Sequence, residues 1–221
     1  MNRHGGPVTG VQRFFHGSEP SLLSWSTDGT LRIWHLDSGA LAAVLEGHGD
    51  EVTGCRILDR RSLAVSSSRD GTLRIWDLEK GQATRILVGH EGEVLGVELT
   101  DEREQRAVSR GADGTLRVWD LTWFRGGGSL FPNLVESPED RILQGHEGAV
   151  LDCAFSPDGT LLASGSADRT VRVWNLEEGR EVARFEGHMG AVRCVRFVYD
   201  QIVVSGSEDR TLRVWNLGRS R

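Results

Sequence analysis

Histidine, serine and aspartate, the residue types of many hydrolase active sites, recur together along this sequence. The clearest set is His146, Ser164 and Asp168. A histidine between a serine hydroxyl and a carboxylate can activate that hydroxyl as a nucleophile. The set occurs five times at nearly constant spacing, and each copy is followed by a tryptophan six residues after its aspartate. Because an active site is normally a single place, the repetition indicates a structural device. The sequence therefore predicts no enzyme and no catalytic residue.

Each set has one histidine, one serine, one aspartate and one tryptophan, and is called a tetrad below. The tetrads are His4, Ser24, Asp28 and Trp34; His48, Ser66, Asp70 and Trp76; His90, Ser109, Asp113 and Trp119; His146, Ser164, Asp168 and Trp174; and His188, Ser205, Asp209 and Trp215. The histidines belong to separate repeats, so joint coordination of a metal ion is not expected. The glycines at 126–128 lack the GxxxxGK[ST] pattern of a phosphate loop. We predict no metal and no cofactor.

Residues 145–176 contain the clearest copy of the repeat, with a Gly-His pair, three short apolar runs and two turns. Runs rich in Val, Leu and Thr between Gly, Pro and Asp turns predict antiparallel strands. The aligned tryptophans are 42, 43, 55 and 41 residues apart, and such a period is typical of a repeat protein. We place the repeats at 3–36, 47–78, 89–121, 145–176 and 187–217, with an insertion at 122–140, all within one domain, 1–221.

The Gly-His pair, the Ser-x-x-x-Asp-x-Thr segment and the closing Trp-Asp or Trp-Asn resemble the WD-repeat family of β-propellers over nearly the whole chain. The resemblance implies an all-β propeller whose blades are four-stranded antiparallel sheets, with strands a to d running outward from a central channel. It also implies that each tetrad forms a hydrogen-bonded chain inside its blade, which would offset the cost of burying four polar groups.

Composition excludes several function classes. The formal net charge of −6 argues against a nucleic-acid-binding surface, which needs clustered positive charge. No apolar run approaches the length of a membrane span, and the N-terminus has no secretory h-region. The cysteines, Cys55, Cys153 and Cys194, are odd in number and form no CxxC pair. We therefore expect reduced thiols, a cytoplasmic protein, and neither nucleic-acid nor membrane partners.

The strand count does not decide how the propeller closes. Fourth, outer strands are predicted near 40–45, 82–88, 141–144 and 181–185, which gives about nineteen strands and a last blade without its outer strand. The unpaired edge is unusual for a globular protein. Either further blades come from another segment or another chain, or the five blades close alone with a three-stranded blade at the seam.

Two regions are candidate partner surfaces. The resemblance places the loops after each tetrad histidine and the turns around each tetrad aspartate on the top face, where acids outnumber bases. This charge favours a neutral or basic partner segment. The top-face candidates are Trp25, Glu51, Arg69, Glu93, Arg110, Met189 and Glu208. Trp25 and Met189 break the pattern of their repeats, and together they would form one apolar patch if the last blade abutted the first.

The second region is the insertion, which the resemblance places on the bottom face. Its candidate contacts are Trp123, Phe124 and Phe131. These aromatic residues either pack on the outer edge of the blade or form a docking loop.

The expected function is therefore a non-catalytic scaffold for protein–protein interaction, which the resemblance implies without naming a partner. The alternative is a sensor or regulatory propeller segment of a larger signalling protein, such as a kinase or a nucleotide-switch ATPase.

Overall fold

The structure, a computed structural model, describes residues 3–58, 62–100, 106–121, 134–136 and 139–218, with the backbone alone at 134–136, 139 and 140. These residues form twenty β-strands in five sheets. Among them there is no α-helix, and hence none long and apolar enough to cross a membrane. Each sheet corresponds to one predicted repeat, which confirms the all-β, five-bladed fold.

Strands within each blade follow the chain from the inside outward. Blade one contains β1 (Val8–His16), β2 (Glu19–Ser26), β3 (Leu31–His35) and β4 (Leu41–Leu45). Blade two contains β5 (Val52–Leu58), β6 (Leu63–Ser68), β7 (Thr72–Asp77) and β8 (Gln82–Val88). Blade three contains β9 (Val94–Leu99), β10 (Arg106–Gly111), β11 (Leu116–Asp120) and, as its outer strand, β13 (Glu139–Leu143). The short strand β12 (Leu134–Glu136) of the insertion precedes β13 in the chain but belongs to the sheet of blade two. Blade four contains β14 (Val150–Phe155), β15 (Leu161–Ser166), β16 (Val171–Asn175) and β17 (Arg180–Phe185). Blade five contains β18 (Val192–Tyr199), β19 (Ile202–Ser207) and β20 (Leu212–Asn216).

Tight turns between the second and third strands of each blade require a left-handed residue after the tetrad aspartate. Gly29, Gly71 and Gly114 fill this position in the first three blades, with φ of 77°, 84° and 79°. Blades four and five place Arg169 and Arg210 there instead, with φ of 72° and 67°. Since a side chain in this conformation is strained by about 1 kcal/mol, the surrounding blade must hold these two turns in shape.

The apolar core lies between blades rather than within them. Four clusters join blades one to two, two to three, three to four, and four to five. In the second cluster, for example, Leu73 and Ile75 of blade two pack with Val94, Val97 and Trp119 of blade three. Each blade thus has a leading face toward the next blade and a rear face toward the previous one, and both must be apolar.

The first and last blades each have one uncovered face. On the rear face of blade one, Val8 and Val11 are more than half exposed, whereas Val52 and Cys55, their equivalents in blade two, are fully buried. Among the described residues no core cluster joins blade five to blade one. The five blades therefore form an open arc. Of the two alternatives for closure, the structure does not have the five blades closed on themselves, because a fifth shared core is missing among the described residues.

Two blades differ from the regular four-stranded sheet. Blade five has three strands, as the sequence predicts. Blade two has five, because β12 from the insertion pairs in parallel with β8, with Leu134 opposite Arg85. This strand is the one beyond the nineteen expected. The aromatic residues Trp123, Phe124 and Phe131 lie outside the described residues.

Candidate interaction surface and its tetrad framework

Tetrad geometry is clearest in blade four. Trp174 Nε1 donates to Ser164 Oγ at 2.8 Å. Ser164 Oγ lies 2.8 Å from His146 Nε2, and His146 Nδ1 lies 2.8 Å from Asp168 Oδ2. Because the tryptophan can only donate and the carboxylate can only accept, each hydrogen bond in this series is donated in the direction from Trp174 towards Asp168. This order fits a neutral His146 with its proton on Nδ1, because Ser164 then donates to Nε2 and Nδ1 donates to Asp168.

The same chain of contacts occurs in all five blades. Trp–Ser distances are 2.7–2.9 Å, Ser–His distances are 2.7–2.8 Å, and His–Asp distances are 2.7–3.0 Å. Each serine hydroxyl is buried with the tryptophan on one side and the histidine on the other. In blades two to five the serine is at most 1% exposed, an arrangement that suits a structural role, whereas Ser24 of blade one lines a cleft on the uncovered rear face.

Each tetrad aspartate also ties two loops together on the top face. In blade five, Asp209 Oδ2 accepts the backbone N–H of Met189 at 2.9 Å, and its Oδ1 accepts the Thr211 hydroxyl at 2.6 Å and the Thr211 N–H at 2.9 Å. The loop that follows the tetrad histidine and the turn that contains the aspartate are therefore fixed to each other. This pairing fixes the backbone of the top face.

Electrostatics of the tetrads follow from this bonding. Burial by itself would raise the pKa of Asp113, but hydrogen bonds from Thr115, His90 and the backbone dominate and lower it to about 2. The pKa of Asp168 is likewise lowered below its ordinary range, although burial opposes the shift. Burial lowers the pKa of His48 and His146, partly offset by their aspartate partners. The His48–Asp70 and His146–Asp168 pairs are thus held as a carboxylate and a neutral imidazole near neutral pH.

Described residues contain no group of three or more His, Cys, Asp or Glu side chains that could hold a metal ion. They do contain contacts between blades that the repeat pattern does not reveal. Asp152 of blade four accepts the Val195 N–H of blade five at 3.0 Å and pairs with Arg196 at 2.7 Å. Arg56 and Glu98 pair similarly between blades two and three, at 2.6 Å. A pattern read within one repeat carries no signal for such pairs, because the partners sit in different repeats.

Five of the top-face candidates, Glu51, Arg69, Glu93, Met189 and Glu208, are exposed or partly exposed. Met189 is 78% exposed. Arg69 joins Glu51 of its own blade, at 3.1 Å, to Glu93 of blade three, at 3.7 Å. Glu208 pairs with Arg193. We call Glu51, Arg69, Glu93, Met189 and Glu208 the top rim. Next to Arg69 a cleft of about 390 Å³ opens between blades two and three, with Gly92 and Glu93 on its far side.

The prediction that Trp25 is a surface anchor is wrong. Trp25 is 6% exposed and belongs to the core cluster between blades one and two. Its ring covers Gly10, where an added Cβ would lie 2.2 Å from the ring. The same position on the leading face is Gly165 in blade four, where Val192 of blade five fills the space. Since blade five does not contact blade one across a shared core, Trp25 and Met189 do not form one patch.

Arg110 is also directed away from the rim. Its guanidinium covers Gly96, and its Nε and Nη1 atoms are buried. It lies close enough to Cys153 of the next blade to affect that thiol, whose pKa burial raises to about 12. Arg110 occupies the leading-face position of Trp25, so the prediction that it lies on the surface is wrong for the same reason: the neighbouring blade covers this position.

Comparison with known proteins identifies the repeat. The family described as WD domain, G-beta repeat matches residues 1–35, 39–77, 81–120, 138–175 and 179–216. The structure is similar to that of the computationally designed Ika8 protein, with a TM-score of 0.77 and 32% sequence identity, over 99% of this chain and 61% of that chain.

Curated relatives match over short segments. Apoptotic protease-activating factor 1 of Rattus norvegicus is 34% identical over 84 residues, which cover 38% of this chain and 7% of that protein. The U5 small nuclear ribonucleoprotein 40 kDa protein of Bos taurus is 40% identical over 68 residues, or 29% of this chain and 19% of that protein. The matches thus span less than a quarter of these relatives' length. WD40 repeats imply a protein-interaction scaffold, and propellers of this kind are generally non-catalytic. With five matches across most of its length, the chain belongs to the WD40-repeat family.

Proposed function

We propose that this chain is a non-catalytic scaffold that binds a protein partner through the top rim. The observation that supports this function is the exposure of the Met189 side chain, which stands on a loop whose backbone is fixed by a hydrogen bond to Asp209. An apolar side chain presented by a preorganised loop loses little conformational entropy on binding, and Met is enriched in interface cores.

Charge on the rim favours a neutral or basic partner segment. Arg69 is shared between Glu51 and Glu93, so its charge is more than matched locally. Arg110, counted among the bases from the sequence, is turned between blades. Glu91 and Glu147 add exposed acids on the same face. A basic side chain from a partner would find carboxylates on both sides of the cleft between blades two and three.

Retention of partner proteins tests this function. The chain and its Met189→Glu variant are immobilised, and the retained proteins are identified from extracts of the source cells. Val182→Glu is the matched control, because Val182 is an exposed apolar residue on the outer strand of blade four, away from the rim. Proteins held by the parent and the control but lost by Met189→Glu, at equal melting temperature, support the rim. Equal retention by all three would refute it.

A second candidate function is a regulatory segment of a larger signalling protein. Two observations favour it: the uncovered faces at both ends of the arc, and a match to 7% of a protease-activating factor several times longer. In that case the insertion aromatics Trp123, Phe124 and Phe131 remain candidate docking residues, and three reduced thiols are compatible with a cytoplasmic setting. The mass of the native particle in cell extracts, with its components identified, distinguishes a free scaffold from such an assembly.

A further inference from the structure

We propose that the open edge of β20 binds an extended segment of a partner protein as an antiparallel strand. The segment carries an acidic residue, a small residue and a large apolar residue, each separated by one position. This site is separate from the top rim and does not depend on it. The inference is based on the outer strands of blades one to four, and the residue pattern on that of blade four, which carries Glu181, Ala183 and Phe185 at the three positions.

The edge of β20 is unpaired among the described residues. In blades one to four the third strand pairs on one side with the second strand and on the other with the outer strand. In blade five, β20 pairs with β19 alone. Its outward amide and carbonyl groups are available for a further strand, and strand addition at such an edge is a recurring mode of peptide recognition.

Arg213 indicates the first residue of the segment. In blade four the equivalent Arg172 is buried and pairs with Glu181 of the outer strand at 2.5 Å. Arg213 is exposed, and no described carboxylate lies within ion-pair distance of it. Glu181 lies opposite Trp174 in the register of blade four. An acid opposite Trp215 would therefore reach Arg213 in the same way.

Leu212 and Val214 indicate the large apolar residue and the small residue of the partner segment. The residues opposite the equivalents of Leu212 are all large and apolar: Leu45, Leu87, Leu143 and Phe185. Opposite the equivalents of Val214 are Ala43, Arg85, Arg141 and Ala183. The strand of blade four, which also supplies the acid, has the small Ala183 at this position. Leu212 is 75% exposed without such a neighbour. A large apolar residue there would cover part of its surface.

Outer edges in this fold do accept an additional strand. Strand β12 extends blade two beyond its regular outer strand β8, across three paired positions. The edge of a blade is thus geometrically accessible to a segment that comes from outside that blade.

A second copy of the chain fits this edge poorly. Pairing β20 with itself in antiparallel orientation would offer Arg213 no carboxylate, because β20 has no acidic residue, and a register centred on Arg213 would set the two arginines opposite each other. In blade four, Arg172 does lie opposite Arg184, but Glu181 and Glu186 pair with these two arginines. Uncompensated like charges in directly opposed positions destabilise a strand pair. The occupant must bring its own acid, as a different protein can.

A synthetic peptide with residues 178–187 of this chain, EGREVARFEG, is the probe, because it already holds this position beside β16. Amide hydrogen exchange of the full chain is measured with increasing peptide. We expect the outward-facing amides of β20, which exchange freely in the chain alone, to slow by at least roughly tenfold. A peptide with Phe185→Asp and the chain variant Leu212→Asp should each weaken this effect about tenfold or more.

Two controls keep the result interpretable. Leu212 is exposed, so Leu212→Asp should melt with the parent chain, and Val8→Asp, at the opposite end of the arc, should bind the peptide normally. The proposal fails if the peptide does not slow exchange at millimolar concentration. It also fails if the Phe185→Asp peptide acts equally well. If β20 becomes protected without peptide as chain concentration rises, the occupant is a second copy and the proposed partner is wrong.

Discussion

Val173 of blade four and Val214 of blade five hold the same place in their blades, but Val173 is fully buried and Val214 is 69% exposed. Val173 packs against Val192, Val195 and Val203 of the following blade. Val214 faces outward from the leading face of the last blade. The pair shows that a blade in this chain buries its third strand only when another blade follows.

A matched pair of substitutions measures this difference. Val173→Asp should lower the free energy of unfolding by about 3–5 kcal/mol, because an unpaired carboxylate would enter a dry core. Val214→Asp should change it by less than about 0.5 kcal/mol, as is usual for a surface position. Denaturant unfolding of both variants gives the two values. Comparable destabilisation by both would mean that the arc is closed or covered in solution.

Tetrad substitutions should destabilise the chain. Trp174→Ala removes a buried indole, with an expected loss of about 3–5 kcal/mol. His146→Ala leaves Ser164 and Asp168 without a buried partner and should cost about 1–3 kcal/mol. Thermal unfolding is the measurement, with Met189→Ala as a surface control. A His146→Ala variant that melts with the parent would contradict the structural role of this tetrad.

Stability should fall as the solution is acidified, in two stages. The pKa of His48 and His146 is lowered in the folded state, so below pH 6.5 the unfolded chain binds more protons and folding weakens. The pKa of the tetrad aspartates is lowered as well in the folded state, to about 2 for Asp113. Their contribution to the free energy of unfolding is therefore complete above pH 4, and it is lost as the pH falls through the folded-state pKa. Denaturant midpoints between pH 7.5 and pH 3 should decline steadily. A constant midpoint from pH 7 to pH 5 would argue against buried neutral histidines.

The three cysteines should react at very different rates. Cys194 is exposed, whereas Cys55 and Cys153 are buried, and burial raises the pKa of both buried thiols to about 12. A thiol reagent at neutral pH should modify one cysteine promptly and the other two only on unfolding. Mass spectrometry of the labelled peptides identifies the sites. Prompt labelling of Cys153 would indicate that blades three and four separate readily.

Trp25→Ala tests the corrected position of this side chain. Because the indole fills the interface between blades one and two, its loss should lower stability by about 3–5 kcal/mol. Gly10 cannot fill the resulting space. Partner retention should be unaffected in any fraction that stays folded. An unchanged melting temperature would indicate that Trp25 lies at the surface and not between the two blades.

How far the sequence predicts the structure depends on where the partners of a residue lie. Tetrads such as His146 with Asp168 lie within one blade, so a repeat pattern captures them. Trp25 and Arg110 look unconstrained within their own repeats, yet the following blade covers them. The pairing of β12 with β8 joins residues of two repeats and has no local signal. Interblade packing is thus the part that one sequence leaves undetermined.

Because every apolar core is shared by two neighbouring blades, cohesion in this protein is a series of nearest-neighbour couplings along one dimension. An internal blade is coupled on both sides, and a terminal blade on one. Blade five has a single coupling and, with three, the fewest strands of any blade, so its local opening free energy should be the lowest of the five. Local unfolding would then begin at β20 and progress to the preceding blades. A ligand bound to that strand would raise the free energy of opening of blade five and so protect the blades before it.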